Sequence, residues 1–203
     1  MLDLQNLVDL ADKLGLIQAV KAKLLRQPDA AADSLVVVLG ELSKVYGACD
    51  AELLRYLSLS FDPADKNTNE RAVLLTLESG QLWTRTSEAR GHCHKIWNIY
   101  KRDLKRWFSS VLLPDEASKM EELFNRLSYA DSQMEAAIGE LTDWLTNRAQ
   151  ETLDLVDAGK QDEANQRIKA ARKEVLPARQ AINKAMNGML QLQAEFIQMS
   201  GTV

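Results

Sequence analysis

Both histidines of this chain and one of its two cysteines stand together in Gly91-His92-Cys93-His94-Lys95, the stretch best equipped for metal chemistry. Ligands that share one face of a helix must lie three or four positions apart, because nearer neighbours leave the axis in different directions. His92 and His94 miss that spacing. Glu88 lies four positions before His92 and would join it, but the Glu-x-x-His pairs that build di-iron bundles are absent. Cys93 falls on an apolar stripe and is expected as a small core residue. The pattern therefore predicts surface histidines at 92 and 94 with no metal, and no other cofactor site is expected. Gly-rich phosphate loops, dinucleotide turns, nucleophile elbows and His-Glu-x-x-His helices are missing from the sequence. With no acid–base constellation either, the expectation is that the chain is not an enzyme.

The most distinctive surface lies just beyond, where residues 95–111 run KIWNIYKRDLKRWFSSV. Wound at about 100° per residue, this segment gathers Ile96, Trp97, Tyr100, Leu104, Trp107, Phe108 and Val111 in one arc. Lys95, Lys101, Arg102, Lys105 and Arg106 fall in the opposite arc, and Asp103 alone offsets those five cations. Such a strip would face an anion: a lipid headgroup, a phosphate or an acidic partner. It equally suits an ordinary amphipathic helix whose basic side is wet. Internal pairing is a third expectation, since the segment from Pro114 onward carries 15 acids against 10 bases.

Composition narrows the partners. The net charge of −4 argues against a nucleic-acid ligand, which is usually held by a strongly basic surface. The longest apolar run, Leu35 to Leu39, is far short of the ~18 residues a membrane span requires. With no basic n-region at the start and only Cys49 and Cys93 for disulfides, no signal peptide is expected and a reducing cytoplasm is the expected location.

The elements that position these residues are helices, because Leu, Ala, Glu, Lys, Gln and Arg dominate and only 9 Gly and 4 Pro occur in 203 residues. The clearest seam runs Ala164, Ile168, Ala171, Val175, Ala178, Ile182, Ala185, Met189, Leu192, Phe196, Met199, in alternating steps of four and three. Alanines recurring each heptad would admit a second helix closely, with the larger residues filling the gaps. Pro177 lies inside this helix and must bend or loosen it. Turn signals then divide the rest. Helices are expected over 2–26 and 29–60, a loop over 61–69, a third helix to about Leu112, a fourth from Asp115 to Ala158, and a fifth from Asp162. A reversal at Lys160 would pair residues whose numbers sum to about 320, placing Phe124 by Phe196, Ile138 by Ile182 and Leu145 by Val175.

The expected architecture is thus all-α: a bundle of about five mostly long helices whose last two form an antiparallel, coiled-coil-like hairpin. It is expected as one domain over residues 1–203, with an N-terminal helix pair (1–61) and a longer three-helix portion (68–203) as sub-units. Trp83, Trp97, Trp107 and Trp144 are expected as core anchors. Met134, Met186, Met189 and Met199 would line an adaptable groove or serve as ordinary gap fillers of the core. Leu176, Met186, Leu190 and Ile197 flank the seam of the last helix and, left uncovered, would extend it outward as a face for a partner. The functional expectation is a non-enzymatic helical interaction module, a scaffold, adaptor or sensor that binds a protein partner or a second copy of itself. The alternative is a peripheral membrane or anion-binding bundle that uses the basic strip.

Overall fold

The computed structural model describes residues 5–26, 30–78, 80–127 and 132–200, and among them there are helices, turns and loops but no strand. The first expected helix is two: α1 (Gln5–Lys13) and α2 (Gly15–Leu24). They meet at a turn where the Ile17 amide bonds the Leu14 carbonyl at 3.1 Å. Next comes α3 (Ala30–Leu57), followed by the loop that Pro63 and its polar neighbours announce. Asn67 organises that loop from within. Its side chain accepts from the Asp62 amide and donates to the Asp62 and Asp65 carbonyls, while its own backbone sits at φ +49°. Asn is among the few residues that tolerate this left-handed geometry, which explains its place at the entry to the next helix.

The long third helix comprises α4 (Thr68–Glu78), α5 (Gly80–Ile99), a π-helical turn (Tyr100–Leu104) and α6 (Lys105–Val111). The π turn has a physical use. Apolar residues stepping by four drift around an α-helix, whereas one wide turn resets the drift. Ile96, Ile99, Tyr100, Leu104, Trp107 and Phe108 are all buried as a result. Leu112 turns extended before Pro114, which opens α7 (Pro114–Leu127). The expected fourth helix is not continuous to Ala158. Ser132 is extended, and its hydroxyl accepts from the Glu135 amide as the N-cap of a new helix, α8 (Gln133–Asp157). Gly159 then adopts φ +72°, and α9 (Gln161–Ser200) closes the chain.

Buried side chains from all of these helices join one apolar cluster. The α9 seam is its spine: every stop from Ala164 to Phe196 is at most 8% exposed, while the Met199 side chain lies outside the described residues. The principal neighbour of α9 is α3, a pairing that turn signals alone do not reveal. Gly40 faces Gln193, Gly47 faces Met186, Asp50 pairs with Arg179, and the Leu57 carbonyl accepts from Arg172. Numbers rise on α3 as they fall on α9, so the two run in opposite directions. Gly40 and Gly47 sit where α9 side chains come close to the α3 backbone, which is why small residues suit them. Contacts from α8 to α9 include Trp144 with Glu174, Arg148 with Glu174, and Glu151 with Arg167. Phe124 stacks on Tyr100 at 4.4 Å between ring centroids. No helix among the described residues is long and apolar enough to cross a membrane.

Candidate functional site

The basic strip is divided by its own helix into two rows. On the α7 side, Lys105 pairs with Glu121 at 2.5 Å, as the acid excess beyond Pro114 leads one to expect, and Lys101 Nζ lies 4.5 Å from the centre of the Trp97 ring. On the α3 side stand Lys95, Arg102 and Arg106. Arg102 grips Asp103 through two bonds of 2.8 Å, and Ser34 of α3 donates to the same carboxylate. Those bonds hold Asp103 down at about 2. Lys95 reaches across to Glu41 of α3 at 2.8 Å. Arg106 has neither a carboxylate nor an aromatic face against it among the described residues.

Glu41 is a site that sequence reasoning passed over. It is 3% exposed, yet it receives Lys95, Lys44 and His92. Burial alone would raise its pKa, but the three hydrogen-bonded partners outweigh burial and hold it at about 2, below its ordinary 4.5. An ionised carboxylate only accepts, so His92 Nδ1, 2.5 Å from Glu41 Oε2, is the proton donor of that bond. His92 is therefore half-buried in an ion-pair cluster and is not a free surface histidine. His94 is exposed and lines an open cavity beside α3. Cys93 is buried as expected, and burial pushes its thiol up to about 12, so the reactive thiolate is disfavoured. Among the described residues, no group of three or more His, Cys, Asp or Glu side chains is arranged to hold a metal ion.

The aromatic and methionine expectations divide. Trp107 and Trp144 are buried and Trp97 is half-buried, but Trp83 is 53% exposed, with the Arg90 guanidinium 4.0 Å above its ring. Met134 and Met189 are interior, and Met186 packs on the core against Gly47. Met134 and Met186 fill gaps in the core, while Met189 also lines a small, mostly apolar pocket between α1, α2 and α9.

The outer face of α9 behaves differently. Leu176, Leu190 and Ile197 are each about half exposed. They belong to a longer stripe: Leu176, Gln180, Asn183, Asn187, Leu190, Ala194, Ile197, again in steps of four and three, and every member is exposed. No charge interrupts it over 22 residues, although charges make up 27% of the chain. Met186, the fourth seam residue foreseen, is turned inward and does not belong. The polar members Gln180, Asn183 and Asn187 were missed because a search for apolar neighbours skips amides. A heptad count continued through the amides finds the stripe.

Comparison with protein-family models, with curated proteins and with solved structures finds no match to this chain.

Proposed function

We propose that this chain is a non-enzymatic helical interaction module, a scaffold or adaptor that associates with a second copy of itself through the outer stripe of α9. In this reading α8 and α9 act as an antiparallel, coiled-coil-like hairpin, with α3 filling its inner side and the far side of α9 left for the partner. The observation that carries the proposal is the uncharged heptad run from Leu176 to Ile197. An exposed helix face is ordinarily charged, because charge costs nothing there and keeps proteins apart. An apolar-and-amide stripe suits a copy of itself in particular. Amides both donate and accept, so Gln180, Asn183 and Asn187 can satisfy their own counterparts across a twofold axis. A stripe of lysines or glutamates would repel its own image.

Sedimentation equilibrium tests the proposal. The wild-type chain is expected to be a dimer at micromolar concentration, and Leu190→Glu with Ile197→Glu is expected to be a monomer with unchanged helical circular dichroism. Both positions are exposed in the single chain, so the substitutions leave the core intact. A wild-type chain that stays monomeric at hundreds of micromolar overturns the reading.

A further inference from the structure

Two cavities lie side by side between α3 and the α5–α6 helix, of about 680 Å³ and about 540 Å³, and they share Ser34 and Arg102. The larger is lined by Ala31 and Ser34 on the α3 wall and by Arg102, Asp103, Arg106, Trp107 and Ser110 on the other. Two features of its wall are otherwise unexplained. Arg106 is exposed and is the one strip cation with no carboxylate or ring against it among the described residues. Next to it, Trp107 is 4% exposed, and its buried indole N–H has no hydrogen-bond partner. Buried donors are almost always satisfied, so one left open beside an unpaired guanidinium marks a place where an acceptor belongs.

We propose that this cavity binds the oxyanion of a phosphorylated small molecule or headgroup, with Arg106 as anchor and the Trp107 indole N–H as a second donor. A guanidinium presents a planar fork of N–H groups that matches two phosphate oxygens, and the pairing is strong because both partners are charged. The start of α3, a helix of 28 residues, forms the facing wall through Ala31 and Ser34; its dipole favours an anion there, and Asp33 in the same turn offsets part of that field. Asp103 sets the limit of the site. Its carboxylate is held by Arg102 and Ser34 and remains ionised, so the oxyanion sits at the Arg106 end and only neutral or donor groups of the ligand extend past Ser34. The hydroxyls of Ser34 and Ser110 donate to Asp103 and to the Trp107 carbonyl, which leaves their oxygens as acceptors for that body. This proposal is independent of self-association, since none of its residues lies on α9.

Indole N–H resonances in proton–nitrogen correlation spectra test it, with the Trp107 signal assigned from Trp107→Phe. Titration with inorganic phosphate is expected to move the Trp107 signal saturably, while sodium chloride at matched ionic strength leaves it in place. Arg106→Ala, an exposed substitution that spares the fold, is expected to weaken the phosphate response by about tenfold. Lys95→Ala, whose cation is already bound to Glu41, is expected to leave it unchanged. Co-sedimentation with phosphatidylcholine vesicles, with and without phosphatidic acid, separates the sources. Binding to phosphatidic acid vesicles alone, lost in Arg106→Ala and without a free-phosphate response, assigns the oxyanion to a lipid headgroup; a free-phosphate response assigns it to a soluble ligand. A Trp107 signal unmoved by phosphate together with no binding to phosphatidic acid vesicles, an equal response to chloride, or full binding by Arg106→Ala overturns the proposal.

Discussion

A single buried carboxylate shows how much a residue's neighbours decide. Glu41 lies between Val38, Leu42 and Val45, and it is stable there only because Lys44, Lys95 and His92 bring donors to it. Its folded-state pKa falls from 4.5 to about 2, so its contribution to stability is present above 4.5 and is lost as pH falls toward 2. Glu41→Gln is therefore expected to cost about 1–2 kcal/mol at neutral pH, discounted because Lys44 and Lys95 are themselves half in water. The gap between wild type and variant is expected to close as pH falls from 4.5 to about 2, as urea melts across that range will show. A gap of constant size would mean that the charge of Glu41 is not the stabilising feature. None of this was legible in the sequence. Glu41 resembles any acid on a wet face, and its partners His92 and Lys95 stand 51 and 54 positions away. The apolar run on both sides of Glu41 was the available clue: an acid embedded in it has to be matched. Glu52 repeats the lesson, being 6% exposed and held by Arg85 through two bonds.

At the scale of elements, the heptad seam of α9 was read correctly, but its main partner was not. Alanines every seven residues say that another helix comes close; they do not say which. The glycines at 40 and 47 carried the missing half of that message. They share the heptad spacing of the alanines and face α9. Space at the two differs in a way that can be tested. A methyl at position 47 would meet Met186 Cε at 3.6 Å, an ordinary contact, so Gly47→Ala is expected to gain about 0.5–1 kcal/mol from helix propensity. Gly47→Leu is expected to lose about 1–3 kcal/mol, because α9 cannot yield to a larger side chain. Pro177 gives a third prediction on the same helix. It removes one backbone donor in mid-helix, but both Pro177 and Lys173, one turn earlier, face water, which satisfies the freed carbonyl. Pro177→Ala is expected to raise stability by about 1–2 kcal/mol, less than the full ~3 kcal/mol of a buried helix interior. A fall instead would show that the bend is needed to seat Val175 and Ala178, the buried residues on either side of it.

For the molecule as a whole, the class was legible and the arrangement only partly so. An all-helical chain follows from composition and periodicity, but the breaks at Leu14 and Ser132 depend on local backbone bonds that propensity does not resolve. The basic strip was legible as a pattern, whereas its division into a satisfied row and a row beside a cavity depends on α3, which only tertiary packing brings there. The outer stripe of α9 lies between these cases, since its spacing is in the sequence and its exposure is not. Asn187 is the telling member, because it sits near the middle of the stripe where a coiled coil would gain most from an apolar residue. Natural coiled coils keep a lone amide at such a place to fix register and copy number at a cost in affinity. If the stripe joins two copies, Asn187→Ile should have opposite effects on strength and on uniqueness. Self-association is expected to tighten by about tenfold or more, as about 1.4 kcal/mol of apolar burial replaces a desolvated amide. The dimer is at the same time expected to give way to a mixture with larger assemblies, visible as added species in sedimentation velocity. A variant that stays a monomer, with helicity intact, would show that α9 ends at solvent and that the module's partner binds elsewhere.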